Sequence, residues 1–159
     1  MSYFGGNYRP TDVALLVFRR ARDGNYEILV GSRPDAENIY VIPTRELEDD
    51  QPVTHAARCL SEICFRIELS ATDVTFPKSV EFGEPDTGRV RCFYLRSTPE
   101  FDAVARDGVE RLGWKYEFVH ISNFAPPKTL LLLPGLEVIR DELQDHLDDF
   151  VEFAEPYHP

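Results

Sequence analysis

The chain has 159 residues, of which 43% are hydrophobic and 12% aromatic, so one globular domain with a full core is expected. Its formal net charge of −11 excludes nucleic-acid binding by bulk attraction, because that binding depends on Lys and Arg neutralising phosphates. No run approaches about 18 apolar residues, so a transmembrane helix and a membrane partner are not expected.

Cysteine usage and the N-terminal residues predict the compartment. The first twelve residues have neither the apolar core of a signal peptide nor the acid-poor composition of a transit peptide. Three cysteines, Cys59, Cys64 and Cys92, are an odd number without paired metal spacing. Reduced thiols in an intracellular protein are therefore expected. The cytoplasm is favoured, and an organelle or the nucleus stays open. No metal is assigned, because His55 and Cys59 alone do not make a zinc site.

The first half of the chain predicts strands followed by one helix. A mostly apolar strand covers 11–21, the hairpin signal DGN follows it, and a second strand covers 26–33. A short extended piece covers 39–43. A helix is predicted over 52–65. Its apolar face is indicated by helical spacings at Ala56, Leu60, Ile63 and Ile67.

The second half predicts strands and a final helix. Strands cover 74–83 and 89–97 around the turn EPDTG, and another strand covers 114–121. Between them lies a polar excursion, 97–112. An amphipathic helix is predicted from Pro134 to Phe153, with its apolar face at Leu136, Ile139, Leu143, Leu147, Phe150 and Val151. The order of strands, helix, strands and helix predicts a single α+β or mixed α/β domain over 1–159.

This order of elements resembles the Nudix (MutT-like) fold, a mixed β-sheet held between helices, across nearly the whole chain. The segment YRPTDVALLVF is similar to the opening of the RNA pyrophosphohydrolase and diadenosine polyphosphate hydrolase branch. YEILVGSRPDAENIYVIP resembles the strand and loop that lead to the family's signature, and WKYEFVHIS resembles the strand before its last helix. The signature itself is the Nudix box, Gly-x5-Glu-x7-Arg-Glu-U-x-Glu-Glu-x-Gly-U, where U is aliphatic.

The box can be placed on residues 44–67 in two registers. The first puts Cys59 and Leu60 at Arg-Glu and Ile63 and Cys64 at Glu-Glu; Arg66 then takes the last Gly, and only Ile67 agrees. The second starts one residue earlier. It matches Asp50, Arg58, Leu60 and Glu62, with Cys59 and Ile63 at the other two glutamate positions. The second register is preferred, because it buries Leu60 and keeps Arg58 and Glu62 polar.

Neither register restores the chemistry that the resemblance implies. Diphosphate cleavage needs Mg²⁺ to activate a water molecule, and Mg²⁺ prefers clustered carboxylate oxygens. At most Glu62 remains, because a thiol and an aliphatic side chain replace its neighbours. Arg58 and Glu62 are therefore interpreted as residual positions that form an exposed i,i+4 ion pair. No catalytic residue and no cofactor are assigned, and Mg²⁺ would enter only if a divergent metal site exists.

Two arginines and several aromatic residues are candidates for ligand binding. Arg33 resembles the arginine that often lines a Nudix substrate cleft, and Arg45 would point from the loop at its edge. Stacking of a base would need an aromatic side chain such as Tyr40, Phe4 or Tyr8. These residues predict a pocket that keeps phosphate-binding groups without a metal.

Two surfaces are candidates for protein contact. The excursion 97–112 offers Phe101 and Val104 as apolar anchors. The acidic C-terminal helix and tail, 134–159, offers Phe150, Phe153 and Tyr157 among acids, a pattern suited to a basic partner. The alternative is that Phe150 and Phe153 complete the core.

Three functional classes remain open. The first is a catalytically inactive Nudix-fold subunit of a heteromeric protein complex, in RNA or nucleotide metabolism, which contacts any RNA through Arg33 and Arg45. The second is a divergent hydrolase of nucleoside polyphosphates or RNA 5′ ends. The third is a nucleotide-sensing regulatory module. The missing carboxylates disfavour the second class.

Overall fold

The computed structural model describes residues 10–36, 39–74, 79–84, 88–108, 110–111, 113–124, 129–133, 136–138 and 140–154. Within these residues ten strands form one mixed sheet. The strands are β1 Asp12–Arg20, β2 Tyr26–Ser32, β3 Ile39–Val41, β4 Thr44–Glu46, β5 Ser79–Glu84, β6 Gly88–Arg96, β7 Glu110–Arg111, β8 Trp114–His120, β9 Thr129–Leu133 and β10 Leu136–Val138. The helices are α1 Val53–Phe65, α2 Pro99–Asp107 and α3 Arg140–Asp149, with a 3₁₀ turn at Ile121–Asn123 and a π-helical turn at Phe150–Ala154. No helix in the described part of the chain is long and apolar enough to cross a membrane.

The sheet is built around β1 and β2, which separate along their length. They pair antiparallel only from Phe18 to Arg20. Where they diverge, β4 pairs with the start of β1 and β3 pairs with β2 at Gly31. The outer edge of β1 pairs parallel with β6, and the outer edge of β2 pairs with β8. The segment from β3 to β4 therefore fills the gap between the two central strands and leads directly into α1.

Two hydrophobic cores lie on opposite faces of the sheet. Successive side chains of a strand point to opposite faces, and β1 shows this alternation. Val13, Leu15 and Val17 pack on the face that carries α1 and α2. Ala14, Leu16 and Phe18 pack on the face that carries α3, together with Leu143, Leu147 and Phe150. The sheet is thus held between helices, as the expected α+β fold requires.

The polar excursion 97–112 contains a helix that was not predicted from the sequence. Pro99 stands at the first helical position of α2, and Gly108 ends the helix in the left-handed conformation with φ of 61°. Proline at the start and glycine at the end are both favourable for helices. The helix was missed because the segment is mostly polar: only Phe101 of α2 is buried, so no apolar stripe indicates a helix.

The prediction of a helix that begins at Pro134 is wrong for its first turns. Leu136–Val138 forms β10, which pairs with β9, and α3 begins only at Arg140. A short apolar run cannot be assigned to helix or strand by periodicity alone, and here the neighbouring strand decides. Leu143, Leu147 and Phe150 are buried as predicted, whereas Pro134 and Ile139 lie outside the described residues.

Candidate functional site

Helix α1 corresponds to the box helix, and the predicted helix is confirmed. Ala56 and Leu60 face the sheet as expected, at 0% and 3% exposure. Ile63 does not, and this expectation is wrong: it is 41% exposed. It directly precedes Cys64, which is buried, and one residue turns a helix by about 100°. The buried stripe is Val53, Ala56, Ala57, Leu60, Ser61, Cys64 and Phe65.

The C-terminus of α1 distinguishes the two box registers. Arg66 has φ of 59° and ψ of 33°, and its N–H donates to the Glu62 carbonyl. A glycine just past a helix end ordinarily takes this left-handed conformation, and Arg66 is the last Gly position of the first register. The final aliphatic position is then Ile67, which is 5% exposed; in the second register it would be Arg66, which is exposed. The structure therefore favours the first register. The preference for the second register, which was made from the sequence, is not supported.

In that register the three glutamate positions of the helix are Leu60, Ile63 and Cys64. Leu60 and Cys64 belong to the core on the α1 face. Cys64 lies against Tyr116, whose burial raises the pKa of its hydroxyl above its usual value; the neighbouring thiol raises it further. A group with a raised acid pKa stays neutral and suits an apolar core. Two of the positions have thus become core residues, and the third exposes an aliphatic side chain.

Arg58 and Glu62 do not form the expected ion pair. Arg58 is half-buried and Glu62 is exposed, but the Arg58 Nε donates to the Leu69 carbonyl at 2.9 Å. The Ser61 hydroxyl likewise donates to the Ile67 carbonyl at 2.9 Å. The chain after α1 folds back along the helix and presents these carbonyls, whereas a surface pair would add only a few tenths of a kcal/mol. Arg58 therefore fixes the segment that follows the helix.

The described residues do not fit the Mg²⁺ ion that the resemblance implies. They contain no group of three or more His, Cys, Asp or Glu side chains placed to hold a metal. The loop before α1 carries four acids, and all are exposed: Glu46, Glu48, Asp49 and Asp50. Glu48 lies 3.7 Å from the Arg45 guanidinium. Exposed and separate carboxylates do not supply the near-octahedral oxygen set that Mg²⁺ needs.

The structure does not bring the three ligand-binding candidates together. Arg33 is exposed, pairs with Asp35 at 3.2 Å and lies 5.2 Å from the centre of the Trp114 ring. Arg45 is in β4, opposite Val13.

Tyr40 is 6% exposed, and its ring packs edge-on against Phe124. The interpretation of Tyr40 as a base-stacking residue is therefore corrected, because its ring is part of the core on the α3 face. Phe4 and Tyr8 lie outside the described residues.

A row of charged side chains, which was not predicted from the sequence, crosses the α1 face. Glu81 lies opposite Arg91, Arg91 opposite Val13, and Val13 opposite Arg45. Residues opposite one another share a face, and Val13 packs toward α1. The α-carbons of Arg91 and Arg45 are two strand spacings apart, about 10 Å. The alternation of arginine with apolar residues in RVRC was the signal for such a row.

Arg89 lies two residues before Arg91 on β6, on the same face of the sheet. Its Nη2 lies 2.9 Å from the Glu81 carboxylate, and Arg91 Nη2 approaches the same oxygen at 3.4 Å. The Glu81 carboxylate thus lies against two of these guanidinium groups, and the Glu48 carboxylate lies 3.7 Å from the third, that of Arg45. We call Arg45, Arg89 and Arg91 the arginine row. Such an arrangement can attract a phosphate-bearing ligand, because guanidinium groups match phosphate oxygens.

The interface interpretation of Phe101 and Phe150 is wrong for the folded chain. Phe101 is 1% exposed and packs edge-on against Phe65. Phe150 is 6% exposed and packs against Phe18. Both rings are needed to cover the sheet, so neither is available as a surface anchor. The side chain of Phe153 and all of Tyr157 lie outside the described residues, and their role at an interface stays a prediction.

Comparison with known proteins identifies the fold. No family model and no curated protein matches the chain. A MutT/Nudix family protein from Enterococcus faecalis matches with a TM-score of 0.58 and 8% identity, over 94% of this chain and 65% of that one. A Nudix hydrolase structure from Listeria monocytogenes matches with a TM-score of 0.54 and 17% identity, over 89% and 96%.

The Ap4A hydrolase of C. elegans matches with a TM-score of 0.53 and 14% identity, over 93% of this chain and 100% of that one. The Nudix fold of these proteins agrees with the mixed sheet between helices that the strand order and the two cores of this chain show. At these identities a structural match shows the fold and not the activity. The chain has the Nudix fold.

Proposed function

We propose that this chain is a Nudix-fold subunit without metal-dependent hydrolase activity, which acts by binding a protein partner. One observation carries the proposal. The helix that would hold the metal is intact, yet its glutamate positions in the favoured register are Leu60, Ile63 and Cys64. Two of these side chains are buried in the core. The residues of this helix therefore serve to pack it against the sheet and do not form a metal site.

Ile63 supports the binding half of the proposal. It is the one large hydrophobic side chain exposed among the described residues. A single exposed hydrophobic is ordinary on most surfaces. Here it stands where both registers require a carboxylate, so this one position offers an apolar contact in place of a metal ligand. The context of RNA or nucleotide metabolism remains part of the proposal and rests on the resemblance alone.

Purified protein is expected to show no Mg²⁺- or Mn²⁺-dependent pyrophosphatase activity above background. The reason is that activation of water and neutralisation of the leaving phosphate both require a carboxylate-bound metal. The measurement is phosphate or nucleotide release from nucleoside diphosphate derivatives, dinucleoside polyphosphates and 5′-triphosphorylated RNA.

Glu62→Gln provides the control, because Glu62 is the exposed carboxylate left on α1. Turnover by the unaltered protein that disappears in Glu62→Gln would show that a divergent metal site works and would refute the catalytic half. The binding half is tested by the native mass of the chain in its own cell extract. A strictly monomeric chain would contradict it.

The arginine row favours a second candidate function, the retention of a phosphate-bearing ligand without its hydrolysis. Arg45→Glu is expected to weaken pyrophosphate binding about tenfold, because it replaces an attractive charge on the row with a repulsive one. Binding is measured by calorimetry at low salt. Arg33→Glu is the matched control, since it makes the same change of charge at a site with its own partners, Asp35 and Trp114. Equal losses in both variants would indicate bulk attraction and no site at the row.

A further inference from the structure

A groove lies between the C-terminal turn of α1 and helix α2, on the same face of the sheet. It has a volume of about 430 Å³. One wall comes from the end of α1 and the residues after it, and the other from α2. The lining residues are Cys64, Phe65, Arg66, Ile67, Glu100, Ala103, Val104 and Asp107.

The α2 wall is one stripe of the helix. Glu100, Ala103, Val104 and Asp107 follow one another at i, i+3, i+4 and i+7, which places them on one side. Ala103 and Val104 in the middle are half-buried, and the two acids at the ends are exposed. Seven residues of helix span about 10.5 Å. The wall therefore presents an apolar centre between two carboxylates roughly two turns apart, and the Asp107 carboxylate also lies 3.3 Å from the Arg106 guanidinium.

The opposite wall has the reverse charge. Arg66 is exposed, and its backbone N–H donates to the Glu62 carbonyl at the end of α1. The floor is apolar, because Phe65 and Ile67 are buried there at 6% and 5% exposure. Phe65 is fixed from below by the edge-on rings of Phe101 and Tyr116. The groove thus has an apolar floor, with acids along one side and a base on the other.

We infer that this groove binds an amphipathic helix of a partner protein. The inference rests on the proposed function and names the binding surface of that subunit. The partner helix carries an apolar ridge for the floor and for Val104. Its flank toward α2 carries two Lys or Arg residues about two turns apart, which meet Glu100 and Asp107. Its other flank carries an acid for Arg66. Docking of a helix in an apolar groove of this kind is a recurrent mode of recognition.

The charge pattern is what selects this occupant. Rim charges contribute mainly to specificity and less to affinity. A second copy of the chain offers no matching ridge in α3, whose exposed residues are mostly acidic. Acidic residues on the partner's α2-side flank would be repelled by Glu100 and Asp107.

The test uses two stapled helical peptides with the same leucine ridge and opposite flanks. One has lysines toward α2 and a glutamate toward Arg66, and the other has these charges exchanged. Binding is measured by fluorescence anisotropy on the full chain. The first peptide is expected to bind about tenfold more tightly than the second, from the summed effect of the rim charges. The double variant Glu100→Lys/Asp107→Lys is expected to reverse the order.

Val104→Asp tests the apolar centre and is expected to weaken both peptides about tenfold, because it places a charge against the ridge. Val104 is half-buried, so the folded state of this variant is checked by circular dichroism. Asp145→Lys is the control: it makes the same change of charge at an exposed position of α3, on the opposite face of the sheet, and should leave binding unchanged.

Equal affinity for the two peptides, no reversal in the double variant, or binding that survives Val104→Asp would overturn the inference. Self-association that Val104→Asp abolishes would also overturn it in favour of a second copy. If the chain forms a heteromeric complex in extract while Val104→Asp leaves that complex intact, the groove is refuted and the proposed function stands. A monomeric chain in extract would refute the proposed function, whatever the peptides do.

Discussion

Phe101→Ala is expected to lower the free energy of unfolding by about 3–5 kcal/mol, the usual cost of removing a buried phenyl ring. The ring is 1% exposed and lies 5.5 Å from the ring of Phe65. It is the buried residue of α2, so its loss also removes the main apolar anchor of that helix. The change is measured by urea denaturation monitored by circular dichroism. The dependence of the unfolding free energy on urea concentration is checked for a two-state transition.

Val104→Ala is the matched control within the same helix. Val104 is half-buried and lines the groove, so the expected loss is about 1 kcal/mol or less. A surface role for Phe101 would give the opposite result, in which Phe101→Ala leaves stability within about 0.5 kcal/mol. That outcome would restore its interpretation as a surface anchor and would remove the support for α2 as a fixed wall.

The sequence predicted the sheet well where a single signal dominates. β1 and β2 carry near-continuous apolar runs around the DGN turn, and the structure contains both strands. The errors fall where two signals compete. In the run that includes Leu136 the apolar spacing fits a helix, but pairing with β9 decides for a strand. In α2 the polar composition suggested a loop, although Pro99 and Gly108 marked both ends of a helix.

The site was harder to predict than the fold, for a physical reason. The choice of box register depended on one residue's backbone, because Arg66 takes a conformation that glycine usually supplies. No side-chain pattern reveals that an arginine will adopt it. The arginine row was missed for a related reason: its members come from two strands, β4 and β6, and only the pairing of both strands with β1 brings Arg45 onto the same face as Arg91.

Leu60→Ala is expected to lower the free energy of unfolding by about 2–5 kcal/mol, because it removes a buried side chain from a packed core. Leu60 is 3% exposed and lies in the core cluster between α1 and the sheet. Ile63→Ala is the matched control on the same helix: at 41% exposure it should cost about 1 kcal/mol or less. Both residues stand at glutamate positions of the favoured register, so denaturant unfolding of the pair compares a core role with a surface role directly. A cost below about 0.5 kcal/mol for Leu60→Ala would show that α1 does not pack through this face. A large cost would mean that a carboxylate at position 60 would be buried in the core, which is unfavourable for a charge. The side chain at this position would then serve packing and could not serve as a metal ligand.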